Sequence, residues 1–470
     1  MSAPGPEGAE NAIAAMQACL AGRRFVWLGF DAASCVSLAR HMRFDLLICT
    51  RYGLDSEWVA LRTGAELISP EREAGARVGD PDCERMLRGA LGPRIASALQ
   101  GHPRFVVSSS STETLEALAA AGDGRLRILA VPIALKRSLD SKIALRKALP
   151  TLGIEPLPHV ICSLTAVDFR EMERRYGLPF VVQLATGSAG SGTFFVSCAS
   201  DLRSLQDQHG DQDVSVSPYI CGMAPNINAV VLENAVLLSH PSVQLVGVPQ
   251  CTDWPSCYCG NDFSAARRLP QAVIQSIYEQ TTKIGAWLRQ QGFGGLWGID
   301  FVLDGLRVYP LEVNPRFQGS TRLLTELQHL HGQAPLWLAH VVGRVDAGRP
   351  LLERLGTRCW EPQPLDGAQM ELRNREGRSC VVRGSLRPGV YVWDGAEGTY
   401  RREGLTVADC ATDDEFVVTS SVPRPNTRVD ASAFLCKIQT RREVLDGASN
   451  KLQTWAAQVC SWVYNALALS

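Results

Sequence analysis

The chain has 470 residues, a formal net charge of −1 at pH 7, 46% hydrophobic residues and 20% charged residues. This length is typical of about two to four domains, and the composition is typical of a globular protein. The near-zero charge gives no net field that would attract nucleic acid or an anionic membrane. The N-terminal segment lacks the order of a signal peptide, and no apolar run is long enough to span a membrane. We therefore expect a cytoplasmic protein with neither a nucleic-acid nor a membrane partner.

The first part of the chain alternates short apolar runs with helical patterns. Strands are predicted at 24–30, 45–50, 104–110 and 128–134, with helices between them. Such a series favours a parallel sheet covered by helices. The turn after the first strand holds a single glycine rather than GxGxxG, so a scaffold is favoured over a dinucleotide site there.

The fifteen cysteines mostly stand singly in apolar surroundings, as small core residues often do. In a reducing cytoplasm we expect free thiols. The one cluster is Cys251, Cys257 and Cys259. It lacks the paired spacing and the fourth ligand of a zinc site, so a loop with incidental thiols is favoured over a metal site.

From residue 139 the pattern changes. A helix carries Lys142, and a strand, a glycine-rich loop and a second strand follow in LPFVVQLATGSAGSGTFFV at 178–196. Small residues in such a loop let backbone N–H groups approach phosphate oxygens. No GK[ST] follows as in a Walker A loop, and an ordinary hairpin turn is the alternative. The other predicted elements here are a helix at 168–177, strands at 214–222 and within 226–246, and a helix at about 269–291.

The segment with the most informative chemistry lies at 295–321 and reads GLWGIDFVLDGLRVYPLEVNPRFQGST. Two apolar runs flank the turn DGL, a pattern that predicts a β-hairpin. Because paired strands lie about 5 Å apart, Asp300 can face Glu312 and Asn314. Two carboxylates that close repel unless a cation lies between them. Oxygen ligands favour Mg²⁺ held together with phosphates, with Arg316 as a donor to the anion; a surface salt-bridge cluster is the alternative.

After about residue 360 short strands predominate, and the last predicted element is an amphipathic helix near 441–468. We expect its apolar stripe to dock on the body of the protein, and an exposed partner-binding helix is the alternative. The stripe comprises Val444, Leu452, Trp455, Ala456, Val459, Trp462 and Val463.

Together these features resemble the ATP-grasp superfamily. The resemblance is carried by Lys142, the loop in PFVVQLATGSAGSGTFFV, the segment SPYICG and the predicted hairpin, in the family's order and spacing. It implies an α/β and α+β fold. A pre-ATP-grasp domain with a parallel sheet would cover 1–135. A two-subdomain ATP-grasp domain would cover 136–345, with a smaller lid subdomain at about 155–222, and a β-rich subdomain with the terminal helix would cover 346–470.

The resemblance also implies residue roles. ATP would lie between the two subdomains, with the loop over its β- and γ-phosphates and the adenine near the backbone of Tyr219 and Ile220 within SPYICG. The implied ATP-binding residues are Lys142, Gln183, Ser188, Ala189, Gly190, Gly192, Tyr219 and Ile220. Asp300, Glu312 and Asn314 would hold Mg²⁺, usually as two ions, with Mn²⁺ as another suitable metal. Arg316 would be catalytic, stabilising the transferred phosphate or the acyl phosphate.

Two positions depart from the family pattern. Gln183 stands where most members have a second lysine, and Ser217 stands where the family often has a glutamate. Glutamine can donate a hydrogen bond but adds no charge, so we expect phosphate or adenine binding at residue 183 to be weaker or differently arranged.

Family members of this kind activate a carboxylate as an acyl phosphate, which an amine attacks to give an amide, ADP and phosphate. The resemblance therefore implies small-molecule carboxylate and amine substrates, biosynthesis of amino-acid derivatives or natural products, and compatibility with a homodimer. Ser320 and Thr321 would line the acceptor pocket. The first alternative is a biotin carboxylase-like enzyme, with Arg373 as its catalytic arginine; in a ligase, Arg373 would bind a substrate carboxylate. The second alternative is a non-catalytic nucleotide-binding module.

Overall fold

The N-terminal part of the protein is a parallel sheet with helices on it. The computed structural model describes residues 6–75, 77, 82–100, 104–187, 190–447 and 450–470. The strands of this part are β1 (Phe25–Gly29), β2 (Phe44–Cys49), β3 (Glu66–Ile68), β4 (Arg104–Ser108) and β5 (Leu126–Ile128). Its helices are α1 (Pro6–Leu20), α2 (Val36–Ala39), α3 (Leu54–Thr63), α4 (Pro70–Ala74), α5 (Cys83–Arg88), α6 (Gly92–Leu99) and α7 (Glu113–Ala121). The strands pair in parallel in the order β3-β2-β1-β4-β5, which confirms the predicted parallel sheet.

The strand predicted at 128–134 lies earlier in the chain than the sequence indicates. Strand β5 ends at Ile128, and helix α8 begins at Ile133 (Ile133–Leu139). Pro132 precedes this helix and has no N–H to donate to a sheet, so the chain turns from strand to helix within a short apolar run. Leu129 and Val131 remain buried between the two elements, which explains why the run read as a strand.

A small antiparallel sheet with its own core follows. Helix α9 (Lys142–Ala148) precedes it and packs in the large core through Leu145. The elements of the small sheet are β6 (Val160–Ser163), α10 (Phe169–Tyr176), β7 (Phe180–Leu184), β8 (Thr193–Val196), α11 (Ala199–His209) and β9 (Asp213–Pro218). The strand order is β6-β9-β7-β8, and Phe180, Val182, Val196 and Val214 pack against Leu202 of α11. We call residues 155–222 the lid subdomain, following the range expected from the sequence.

The largest sheet holds the predicted hairpin and much of the C-terminal part. The strands after the lid are β10 (Pro225–Val231), β11 (Val236–Leu238), β12 (Ser242–Val246), β13 (Tyr258–Asp262), β14 (Gly295–Asp304), β15 (Arg307–Asn314), β16 (Ala368–Arg373), β17 (Cys380–Val381), β18 (Gly389–Trp393), β19 (Gly398–Arg402), β20 (Glu415–Thr419), β21 (Arg428–Val429) and β22 (Phe434–Thr440). The helices are α12 (Phe263–Ala266), α13 (Gln271–Gln290), α14 (Thr321–Leu330), α15 (Leu336–Gly343), α16 (Gly348–Leu355) and α17 (Thr454–Leu467).

This sheet is continuous across the predicted domain boundary at 345/346. Its order is β15-β14-β10-β12-β13-β16-β22-β20-β18-β19, with β11 paired to β10. The antiparallel pairing of β13 with β16 makes the connection, through Asn261 opposite Gln369 and Gly260 opposite Met370. The β-rich part expected after 346 is therefore an extension of the sheet that carries the hairpin.

The terminal helix is shorter than the sequence predicted. It covers Thr454–Leu467 instead of 441–468. The buried carboxylate of Asp262 accepts hydrogen bonds from the backbone N–H groups of Val444 and Leu445, and Gly447 has φ +60°, so the chain turns before the helix can start. The predicted docking is confirmed, because every residue of the apolar stripe is buried or partly buried.

The clustered cysteines are core residues and not thiols of an exposed loop. Cys251, Cys257 and Cys259 are each 0% exposed; the first two lie in the segment before β13, and Cys259 lies on β13. Cys460 of α17 joins the same core and places its sulfur 3.6 Å from the sulfur of Met370. Each cysteine of the chain lies in the described part and is a free thiol. Within the described ranges, no helix has the length and apolarity needed to cross a membrane.

Candidate active site

The predicted hairpin is confirmed and brings two carboxylates together. Strands β14 and β15 are antiparallel, and Asp300 lies directly opposite Glu312. Gly305, in the turn, has φ +60°, the left-handed conformation that glycine adopts at no steric cost. Asn314 faces Gly298, two positions along the strand from Asp300, and donates from Nδ2 to Asp300 Oδ2 at 3.1 Å. The three predicted metal ligands therefore lie on one patch of the hairpin.

Asp300 is held by amide side chains. Its Oδ1 accepts from Asn226 Nδ2 at 2.5 Å, Gln244 Nε2 at 3.0 Å and Gln318 Nε2 at 3.2 Å. Burial and the neighbouring charge of Glu312 raise the pKa of Asp300 to about 6, although the amide donors and Arg316 act in the opposite direction. Neutral donors thus fix the orientation of this carboxylate, and among the described residues it forms no ion pair, although Arg316 acts on it from a distance.

Lys142 supplies a positive charge to the other carboxylate. It is the first residue of α9, is 3% exposed, and places Nζ 2.9 Å from Glu312 Oε2. Its backbone N–H donates to Ala185 O at 2.9 Å, and Ser141 Oγ caps the helix by accepting from Ala144 N. The lysine expected to bind ATP is therefore anchored between the hairpin and the end of β7.

Gln183 is buried on β7 and takes part in a network that the sequence did not predict. Its Oε1 accepts from Arg146 Nη2 at 2.7 Å, and its Nε2 donates to Thr193 Oγ1 at 3.3 Å. Arg146 lies one helical turn after Lys142 on α9, and only 1% of it is exposed. A second cation is therefore present next to the residue that departs from the family pattern.

The glycine-rich loop closes onto the large sheet. Ser188 and Ala189 lie outside the described residues, whereas Gly190 and Gly192 are described. Gly190 has φ +92°, and its carbonyl accepts a hydrogen bond from Ser256 Oγ at 3.2 Å. A Cβ at residue 190 would lie 1.9 Å from the carbonyl oxygen of Ser256. Only glycine allows this approach of the lid to the segment before β13.

Tyr219 and Ile220 follow the last strand of the lid. Tyr219 is 43% exposed and packs edge-on against Phe195 with the ring centroids 5.4 Å apart. Ile220 packs in a small apolar cluster with Leu157 and the hairpin residues Val302, Tyr309 and Leu311. The predicted adenine-side residues are thus beside the hairpin, where the lid joins the large sheet.

Ser320 and Thr321 contact the amide residues of the site. Ser320 Oγ donates to Asn226 Oδ1 at 3.2 Å and accepts from Asn228 Nδ2 at 2.9 Å, while Thr321 Oγ1 donates to Asn228 Oδ1 at 2.7 Å. Both residues are almost fully buried. The hydroxyl group of Ser320 therefore supports Asn226, which holds Asp300, whereas Thr321 supports the neighbouring Asn228. The predicted place of both residues in the acceptor pocket stays a prediction. Arg316 donates from Nη1 to Phe317 O at 3.1 Å.

The comparison with protein families agrees with this geometry. A family model described as an ATP-grasp domain matches residues 140–320, which include α9, the lid and the hairpin and end directly before α14. Residues 140–320 form an ATP-grasp domain.

Known relatives of the ATP-grasp domain include two curated enzymes. The [butirosin acyl-carrier protein]–L-glutamate ligase of Niallia circulans is 25% identical over 207 residues, covering 42% of this chain and 48% of the ligase. The formate-dependent phosphoribosylglycinamide formyltransferase of Xanthomonas campestris is 26% identical over 275 residues, covering 54% of this chain and 63% of that enzyme. The chain thus covers less than two thirds of either relative. At the general level, the family is one of ATP-binding, ligase-type enzymes.

A solved structure supports the fold over most of the chain. The biotin carboxylase domain dimer of the Hydrogenobacter thermophilus 2-oxoglutarate carboxylase, in complex with MgADP and bicarbonate, superposes with a TM-score of 0.55 and 11% sequence identity. The superposition covers 90% of this chain and 86% of that chain. At this identity the similarity shows the shared fold alone.

Sequence reasoning missed several side chains of the ATP-grasp domain. Asn226, Gln244 and Gln318 hold Asp300, and Arg146 contacts Gln183. The available signals were polar residues inside apolar strand patterns, as in NINAVV and SVQLV, and for Arg146 the four-residue spacing from Lys142, which puts both on one helix face.

Arg373 lies outside the family match and away from the hairpin. It ends β16, donates from Nη1 to Ser432 O at 3.2 Å, and donates from its backbone N–H to Cys251 O at 2.9 Å. None of its contacts with other described residues reaches the hairpin carboxylates. The structure therefore brings together the predicted metal ligands, Lys142 and Gln183, but does not bring Arg373 to them; its catalytic role stays a prediction without a supporting contact.

Proposed function

We propose that the protein is an ATP- and Mg²⁺-dependent ligase that activates a carboxylate as an acyl phosphate and joins it to an amine, releasing ADP and phosphate. The observation that carries the proposal is the pairing of Asp300 with Glu312 across the hairpin, with Asn314 beside them and Lys142 2.9 Å from Glu312. Carboxylates, an amide oxygen and a buried lysine suit a bound metal–phosphate group.

The donor set fits Mg²⁺ when phosphates complete its coordination. Within the described ranges there is no cluster of three or more His, Cys, Asp or Glu residues suited to a metal. The hairpin instead offers two carboxylates, with the Oδ1 of Asn314 left for a third ligand because its Nδ2 faces Asp300. Mg²⁺ is commonly held by one or two carboxylates plus substrate phosphates. Such an ion would offset the charge that develops on the transferring phosphoryl group. We propose that two Mg²⁺ ions bind, and that Mn²⁺ can replace them.

The protein's own groups perform the remaining tasks in this proposal. Lys142 would exchange its contact with Glu312 for one with the phosphates, because a metal ion at the hairpin competes for the same carboxylate. The loop of Gly190, seated on Ser256, would exclude water from a hydrolysable acyl phosphate. Arg316, on the turn after the hairpin, would donate to the transferred phosphate and to the oxyanion that forms during amine attack.

The relatives support carboxylate activation as the common step. Their printed names include L-glutamate for one and formate for the other, and both compounds are carboxylates. We propose small-molecule carboxylate and amine substrates for this chain, a biosynthetic role and a cytoplasmic location. We also propose a homodimer, supported by the dimer printed for the Hydrogenobacter domain. The carboxylase alternative has no supporting contact, since Arg373 lies with Ser432 and Cys251.

Analysis of nucleotide products tests the proposal. The protein is incubated with Mg-ATP and pooled carboxylates and amines, and a second reaction contains bicarbonate and biotin. We expect ADP and phosphate to form only when a suitable carboxylate–amine pair is present, and we expect Glu312→Gln to remove most of that signal. Formation of AMP and pyrophosphate would contradict the acyl-phosphate mechanism. ADP formation that depends on bicarbonate and biotin would instead favour the carboxylase, and ATP binding without turnover in any pool would favour the nucleotide-binding module.

A further inference from the structure

Arg146 is a buried arginine with unused donors. It is 1% exposed and makes one side-chain hydrogen bond among the described residues, from Nη2 to Gln183 Oε1 at 2.7 Å. Its Nε and Nη1 atoms are buried and have no hydrogen-bond partner in the part of the chain that the structure describes. Buried donors are nearly always paired, because an unpaired one has lost its hydrogen bonds to water without replacement. Two unsatisfied nitrogen atoms on one guanidinium therefore indicate a missing acceptor.

The charge of Arg146 is also uncompensated. No carboxylate in the described part of the chain forms an ion pair with it, in contrast to Lys142, which pairs with Glu312. Burial lowers the pKa of Arg146 to about 10, opposed only by Tyr176, so the guanidinium stays protonated near neutral pH. A buried cation without a partner is costly for the fold. The simplest explanation for such a residue is that an anionic ligand binds next to it and offsets its charge.

The position of Arg146 identifies the anion. Arg146 and Lys142 share one face of α9, and the backbone N–H of Lys142 is bonded to Ala185 at the end of β7. Gln183 reaches from the same strand to Thr193, which begins β8 on the other side of the glycine-rich loop. The guanidinium thus lies at the base of the loop, next to the cation that the hairpin anchors.

We propose that Arg146, aimed by Gln183, supplies the second positive charge that binds the phosphates of ATP in this protein. This inference rests on the proposed function only in taking ATP as the ligand, and it does not depend on the ligase reaction. It explains how position 183 can lack a charge, since the cation comes from α9 instead of β7. Because Arg146 is enclosed while the loop rests on Ser256, the nucleotide would reach it with the lid open, before the loop closes.

The test measures equilibrium affinity for ATP, ADP and adenosine in the full chain. Arg146→Gln should weaken ATP and ADP binding by about 10- to 100-fold, the loss of one or two charge-assisted hydrogen bonds, and should leave adenosine binding within about twofold. Lys147→Gln is the matched control, because Lys147 is the next residue on α9, is exposed, and loses the same charge. It should change ATP affinity by less than about twofold.

A charge relocation distinguishes phosphate binding from a structural role. In the double variant Arg146→Gln with Gln183→Lys, the cation moves to β7, and ATP affinity should recover to within about tenfold of the wild type. Arg146→Met should keep the unfolding temperature of the ligand-free protein but lose the increase that ATP causes, because it removes an unpaired buried charge.

Three outcomes would overturn the inference. Arg146→Gln could bind ATP as the wild type does, or it could lose ATP and adenosine equally, or the double variant could recover no affinity. The proposed ligase fails in a different way, through absence of ADP formation in a protein that still binds ATP through Arg146. A wild type that binds no nucleotide would refute both.

Discussion

Replacing Asp300 with asparagine should stabilise the ligand-free protein while abolishing its binding of metal–nucleotide. The pKa of Asp300 is raised from 3.8 to about 6 in the folded state, so the folded protein binds this proton more readily than the unfolded chain. The free energy of unfolding therefore falls as the pH rises from about 4 to about 6. Above about pH 6 the charged carboxylate destabilises the folded protein. Raising the pKa of Asp300 from 3.8 to about 6 corresponds to about 3 kcal/mol, which is an upper bound because the side chain is only partly buried.

Asparagine can occupy the site with little rearrangement. Its side-chain oxygen can accept from Asn226, Gln244 and Gln318, as Oδ1 of Asp300 does now. Its new NH₂ group faces the NH₂ of Asn314, which has to rotate its amide to offer oxygen instead. The substitution thus removes the charge and retains the hydrogen bonds, which become weaker because their acceptor is no longer charged.

The assay compares unfolding midpoints across pH, with a chelator present and no nucleotide. Asp300→Asn should unfold at the same midpoint as the wild type near about pH 4. Its midpoint should then rise above that of the wild type as the pH increases to about 6, and the difference should be constant above that pH. Asp304→Asn is the control, because Asp304 is exposed at the end of the same strand. A variant less stable than the wild type at about pH 8, or a difference that does not change with pH, would refute the reasoning.

Two further substitutions test the metal patch and the loop. Glu312→Gln removes a charged ligand and should lower the rate of ADP formation by about 100-fold, since several kcal/mol of charge stabilisation are lost; an unchanged rate would exclude Glu312 from the metal site. Gly190→Ala places a methyl group against Ser256 and should lower kcat/KM for ATP by about tenfold or more. Gly210→Ala is its control, because Gly210 has a similar positive φ of +64° with open space around it; equal effects of the two would mean that strain, and not docking, is responsible.

The part of the site that the sequence could predict is the part set by local pattern. Alternation on both sides of DG fixed the hairpin, and strand pairing then required Asp300 to face Glu312. Local pattern failed where an apolar run was buried without regular structure, as at 129–132, and where a distant side chain determined the backbone, as Asp262 does before the terminal helix.

The side chains that complete the site depend on tertiary contacts. Arg146 reads as one of several basic residues on a short helix, and nothing local shows that the lid sheet covers it. Likewise, the amides of Asn226 and Gln244 lie on strands that reach Asp300 only through the order of the large sheet. Their function depends on the order of the strands in the sheet, and the residues around each position do not reveal that order.

The pairing of β13 with β16 also limits how the protein can be divided. A fragment ending near residue 345 would contain the whole hairpin and α9, yet would leave β13 as a bare sheet edge. Unpaired N–H and C=O groups on an edge strand recruit other chains, and here the newly exposed flank would include Cys257, Cys259 and the apolar surface that normally covers them. The ATP-grasp domain is therefore a unit of homology but not a separable unit of folding, and fragments cut at that point should self-associate.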